Sequence, residues 1–226
     1  MFDTPQFTSS VFNTLAASLM KLELWTDAEK ALRYAIQLTP ALPGPRMNLY
    51  TVLQAQSKHR EAEMALRDSV NQGIADANTY EMLAYILRAQ NNLPEAARML
   101  RQAHRLNPGN PNIMNSLGYT LLELDTSLEE ARDLIKRAVN AEPANAYYRD
   151  SLGWAHFKLG NLKEAEEELL WATKNNPDST ITLEHLGDLY RKQDKKADAV
   201  NFWKAALYLT TDENAKARLQ SKIALP

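Results

Sequence analysis

Residues 146–179 read AYYRDSLGWAHFKLGNLKEAEEELLWATKNNPDS. Apolar and small residues fall at helical spacing on both sides of Gly160 and Asn161, a pair that ends one helix and starts another. The first helix carries Leu152, Gly153, His156 and Leu159; the second carries Ala165, Leu169 and Ala172, and Pro177 ends it. Asn161 with Glu164 three residues on reads as a capping box for the second helix. Gly153, Ala165 and Ala172 lack bulk, so the two helices can approach closely, while Leu152 and Leu169 fill the space between neighbouring pairs.

The pattern recurs along the chain. The alanine at Ala165 has equivalents at Ala28, Ala62, Ala96, Ala131 and Ala199, with spacings of 34, 34, 35, 34 and 34 residues. A leucine precedes each by 13 residues, or 14 in the fourth case: Leu15, Leu49, Leu83, Leu117, Leu152 and Leu186. Four residues after each alanine comes a large apolar side chain, at Leu32, Leu66, Leu100, Ile135, Leu169 and Trp203. A period of this length means stacked helix pairs sharing one continuous core. The frame predicts a leader over 1–8 and six helix-turn-helix units over 9–42, 43–76, 77–110, 111–145, 146–179 and 180–213. The fourth unit's extra residue falls in its inner turn, where Ser127 and Glu130 suggest a second capping box. Over 214–226, Ala215, Leu219 and Ile223 share one face, as a helix capping the last unit requires. At the other end, Phe2 and Phe7 are expected to fold over the open first unit or to mark where a longer chain was cut.

Composition narrows the function. Net charge is −2 with 24% charged residues, so no field of one sign points to nucleic acid or an anionic membrane surface. The absence of cysteine excludes disulfides and thiol chemistry. No apolar run has the length of a membrane span. Asp3 and the lack of a basic stretch make the start read as a first helix and not as a secretory signal. His59, His104, His156 and His185 are scattered without metal-ligand spacing, and no phosphate loop or nucleophile elbow is present. His156 replaces a core residue and is expected to be buried and hydrogen-bonded. No enzyme activity, cofactor or metal is expected.

The periodic alanine in six units, with a Leu-Gly pair in three of them and a closing proline in four, resembles the tetratricopeptide repeat. The resemblance implies an all-α, right-handed α-solenoid of six units plus a C-terminal capping helix, and a non-enzymatic adaptor or scaffold holding a polypeptide segment in a groove lined by the first helices. NSLGYTLLE (115–123), EARDLIKRAV (130–139), DSLGWAHFKLG (150–160) and EHLGDLY (184–190) are similar to the last repeats of tetratricopeptide proteins of the Gram-negative bacterial envelope. Some of those are lipoproteins that bring partners to proteases or assembly machines. Localisation is then cytoplasmic by default, or periplasmic for a processed or truncated envelope protein. The lysine and asparagine clamp of the chaperone-tail type has no counterpart at Asn13, Ala17, Met47 and Thr51, which argues against that ligand.

Within each first helix, positions 2, 5, 9 and 12 share the face away from the Leu-Gly pair. Position 9 carries Tyr85, Tyr119 and Trp154 in consecutive units, and Tyr147 and Phe157 extend the ladder. Either neighbouring helices cover these rings or they form the floor of a peptide site, as aromatic clusters on recognition surfaces do. Glu81, Asp150 and Glu184 with Asn115 occupy position 5, while Arg88 and Arg191 occupy position 12 with Lys158 and Lys192 just beyond. The rows make an acidic and a basic edge for an extended ligand, although the helix dipole alone also favours that order. Tyr34 and Trp171 are expected on the outer side. The alternatives are a structural protein that self-assembles into homo-oligomers, and a regulatory part of a larger protein.

Overall fold

The computed structural model describes residues 4–224, which contain thirteen α-helices and no strand. The chain divides into two compact units, Met1–Pro108 and Gly109–Pro226. The first holds α1 (Thr4–Lys21), α2 (Trp25–Leu38), α3 (Pro43–Ala55), α4 (His59–Asn71), α5 (Ala77–Ala89) and α6 (Leu93–Leu106). The second holds α7 (Pro111–Glu123), α8 (Leu128–Ala141), α9 (Ala146–Lys158), α10 (Leu162–Asn175), α11 (Thr180–Lys192), α12 (Lys196–Leu209) and α13 (Glu213–Ala224). Because α1 begins at Thr4, residues 4–8 of the expected leader belong to a helix. Phe2 lies outside the described residues.

Every periodic alanine is fully buried, and so, within 4% exposure, are Leu32, Leu66, Leu100, Ile135, Leu169 and Trp203. The Leu-Gly motif has a direct geometric cause. A Cβ at Gly118 would lie 2.8 Å from the Ala131 carbonyl oxygen and 2.6 Å from Ile135, and one at Gly153 would lie 2.7 Å from Leu169. The glycine of the first helix therefore sits on the periodic alanine and its apolar neighbour one turn on.

Leu15 departs from the expected core pattern. It is 46% exposed, whereas Leu49, Leu83, Leu117, Leu152 and Leu186 are 5% exposed or less. A leucine at this place packs against the preceding helix pair, and among the described residues no pair precedes α1.

The inner turns also differ from expectation. Asn161 and Ser127 stand at the N-caps of α10 and α8, but neither side chain bonds a backbone N–H there, so the capping boxes do not form. The turns are instead closed by a left-handed residue at Glu23, Ser57, Asn91, Asp125, Gly160 and Asp194. After each, the next N–H donates to a carbonyl five residues back, as in Asn161 to His156 at 2.9 Å and Lys58 to Leu53 at 2.8 Å. The extra residue of the fourth unit is accommodated by a second left-handed position, Ser127. Side-chain caps do occur, at the starts of first helices: Asp76, Asn110, Asn145 and Ser179 accept from backbone N–H groups of α5, α7, α9 and α11.

The terminal helix α13 buries Leu219 and packs Ile223 on the last core cluster. Its basic side chains add a second attachment. Arg218 donates through Nε and Nη2 to the two Glu184 oxygens at 2.8 Å, and Lys222 reaches Glu184 at 2.8 Å and Asp188 at 2.7 Å. Burial alone would raise the Glu184 carboxyl, but Arg218 and Lys222 outweigh it and hold its pKa at about 2. A folded value below the ordinary 4.5 means that the contribution is complete above that pH and is lost as pH falls toward 2. Because the Arg218 side chain is half in water, Glu184→Gln is expected to cost about 1–2 kcal/mol at neutral pH. It should also flatten the acid limb of stability between pH 4.5 and 2 in thermal denaturation. An unchanged acid limb would show that this cluster does not hold α13.

Candidate functional site

In the second unit the first helices α7, α9 and α11 are neighbours, and their groove-side residues converge on Trp154. The indole lies between two rings. His185 of α11 stacks on it with centroids 4.1 Å apart and planes 11° apart, and Phe157 stacks at 4.7 Å and 14°. Tyr119 of α7 comes within 6.5 Å of the same imidazole, and the Lys158 ammonium is 5.9 Å from the centre of the indole ring. Trp154 remains half-buried: neighbours orient the ring without enclosing it.

The acids at position 5 are engaged inside the fold. Asp150 is buried and its Oδ1 lies 3.0 Å from His185 Nδ1, which fixes the imidazole plane against Trp154. Glu184 is taken up by α13 as described, and burial pushes the Glu81 carboxyl up. Asp150 and Glu184 are thus internal partners in this structure, in place of the open acidic edge expected from the sequence. At position 5 of α7, Asn115 has its Oδ1 buried with no hydrogen-bond partner. It lies one turn before Tyr119 on the same helix face.

Tyr147 is 68% exposed at the start of α9. Lys158 reaches Asp125 at 3.2 Å, and Arg191 is an exposed residue 4.0 Å from Asp194. In the first unit, Tyr85 is 68% exposed and lines a cleft of about 370 Å³ with Tyr50, Gln54 and His59. Burial pushes the Tyr50 phenol up, and Arg88 follows Tyr85 by three residues on α5.

His185 is the residue that sequence reasoning passed over. It stands 31 residues after Trp154, three short of the repeat, which is the diagonal between adjacent first helices. Laying successive units over one another would have exposed that diagonal. His156, expected to be hydrogen-bonded, is half-buried with Nδ1 lacking a partner, and burial lowers its pKa. Tyr34 is 45% exposed and meets Phe12 edge to face at 4.6 Å; the Trp171 ring lies 4.5 Å from the Arg149 guanidinium. Among the described residues no group of three potential ligands could hold a metal ion, and no helix is long and apolar enough to cross a membrane.

Two tetratricopeptide repeat profiles match residues 87–154 and 151–219. A TPR repeat-containing protein of Pseudomonas aeruginosa is 28% identical over 181 residues, a match spanning 78% of this chain and 25% of that protein. The chain thus corresponds to about a quarter of that relative's length. Among solved structures, a tetratricopeptide repeat protein of Parabacteroides merdae superposes with a TM-score of 0.74 at 18% identity, over 96% of this chain and 86% of that one. The pilF protein of Pseudomonas aeruginosa gives 0.69 at 14% identity, over 97% and 100%. YrrB, described as a TPR protein with an unusual peptide-binding site, gives 0.64 at 19% identity, over 85% and 99%.

Proposed function

Because this chain belongs to the tetratricopeptide repeat family, whose members generally mediate protein–protein interaction, we propose that it is a non-enzymatic adaptor whose second unit binds a polypeptide segment across α7, α9 and α11. The observation that carries this reading is the Trp154 cluster. A large indole is held in one orientation by His185 and Phe157, partly open to solvent, on a face that the repeat's own packing does not use. Rigid aromatic anchors of this kind supply most of the energy in peptide interfaces because little side-chain entropy is lost on binding. Tyr119 and exposed Tyr147 widen the apolar floor.

A peptide selected on the wild-type protein from a displayed random library tests the proposal. Trp154→Ala is expected to weaken its binding by about 2 kcal/mol, some 30-fold, while Trp171→Ala, on α10, leaves affinity within about twofold. Loss of binding in Trp171→Ala with Trp154→Ala unaffected would place the ligand elsewhere.

A further inference from the structure

The Trp154 indole presents its edge to the groove. His185 and Phe157 lie nearly parallel to it, at 4.1 and 4.7 Å between centroids, so a guest ring finds no free face to stack on. The indole N–H is open. Among the described residues it has no hydrogen-bond acceptor, and the nitrogen is not one of the buried polar atoms left without a partner. The Trp203 N–H, by contrast, donates to Asp188 at 3.1 Å.

Oxygen acceptors around the ring are already spent. Asp150 is buried with Oδ1 at 3.0 Å from His185 Nδ1, Arg218 takes both Glu184 oxygens, and Lys222 takes both Asp188 oxygens at 2.7 Å. The Asn112 oxygen accepts from the Tyr148 hydroxyl, and the Asn115 oxygen is buried. The floor can therefore donate to a ligand carbonyl, but none of these carboxylate and amide oxygens is left to receive a ligand N–H.

The spacing of the rings adds a second constraint. Packed helix axes lie about 8–10 Å apart, and a polyproline II helix advances about 9 Å in one three-residue turn. A segment in that conformation laid across α7 and α9 meets the position-9 ring of each helix with every third residue. Tyr119 and Trp154 flank one imidazole, at 6.5 and 4.1 Å between centroids, which puts them within about one such turn of each other.

We infer, resting on the peptide-binding reading of the Trp154 face, that the segment it takes is proline-rich and bound as a polyproline II helix. Prolines three residues apart pack beside Tyr119 and Trp154, and a carbonyl of the segment accepts from the indole N–H. Proline carries a carbonyl and no N–H, so it makes no demand on acceptors that the floor lacks. Its compact ring fits beside an indole edge, and its fixed φ leaves little conformational entropy to lose on binding. Grooves lined by aromatic side chains recognise such segments on the same physical terms.

Calorimetric titration of the full chain tests this with an acetylated and amidated dodecapeptide of four Ala-Pro-Pro units, and with its Ala-Ser-Ser counterpart as control. Saturable binding with a Kd below about 1 mM is expected for the proline peptide, at least about tenfold weaker for the serine one. Trp154→Phe keeps an aromatic ring but removes the donor, and is expected to weaken binding about fivefold. In the wild-type chain the Trp154 indole proton is expected to move downfield on saturation, a readout that needs no variant. No saturable binding of the proline peptide, equal affinity for the two peptides, or a stationary indole proton would overturn the inference. Selection of Trp154-dependent peptides without proline from the displayed library would overturn this inference alone and leave the peptide-binding reading intact. Selection of peptides indifferent to Trp154→Ala would remove both.

Discussion

Replacing Leu152 by alanine is expected to lower the unfolding free energy by about 2–5 kcal/mol, the cost of lost apolar transfer plus the cavity left behind. The side chain is 5% exposed and belongs to the one leucine position that each unit repeats. Rigid helices on either side cannot close such a gap without giving up other contacts, which puts the cost in the range for close-packed interiors. Leu15→Ala provides the comparison. Although it occupies the same register, Leu15 is 46% exposed on α1, and its truncation is expected to cost about 0.5 kcal/mol or less. Urea denaturation of both variants checks the pair. Equal small losses would mean that the repeat register does not determine burial.

Gly118→Ala is the second large effect, and its sign runs against helix propensity. Alanine in a helix interior gains about 1 kcal/mol over glycine. At Gly118, however, the new methyl would lie 2.6 Å from Ile135 Cγ1 and 2.8 Å from the Ala131 carbonyl oxygen. The isoleucine can rotate; the carbonyl belongs to α8, and moving it means parting the two helices. Overpacking of this kind typically costs about 1–3 kcal/mol and sometimes more. Because backbone is involved, a net loss of about 2–3 kcal/mol is expected. Gly44→Ala separates this from a general effect of glycine, since a Cβ there meets only Asn13 Nδ2 at 3.9 Å. That substitution is expected to be neutral or stabilising by about 0.5–1 kcal/mol. A stabilised Gly118→Ala protein would show that α7 and α8 are not held at this distance.

The periodic alanines made the helix pairs legible because each is a contact point where only a small side chain fits, a demand that any sequence for this fold must meet. The exposure of Leu15 was not legible from its own residues, since burial at this position depends on a preceding helix pair, which the described residues do not include. Capping was misread for a local reason. Asn161 and Asn110 are the same residue type, but Asn161 follows a left-handed turn and has φ −82° and ψ 70°, whereas Asn110 has an extended backbone at −75° and 116°. Only the extended geometry brings the side chain onto the first N–H groups of the helix.

At the candidate site the sequence identified Trp154, Tyr119 and Phe157 by their shared face, and the structure brings them together around His185. It did not reveal that the acids face inward. Asp150 finds His185 at a separation of 35 residues, and Glu184 and Asp188 find Arg218 and Lys222 at 34 each. Those pairs follow the repeat length, so the period contained the information, but only once α13 is placed as the next first helix.

The central claim, that a polypeptide segment docks on the Trp154 face, is tested most directly by the indole N–H resonances of the four tryptophans during titration with the library-selected peptide. Trp25, Trp171 and Trp203 serve as internal references; the last is buried and donates to Asp188 at 3.1 Å. The account predicts that the Trp154 resonance moves with saturation while Trp25 and Trp171 stay in place. A stationary Trp154 signal with a shift at Trp25 or Trp171 would contradict it.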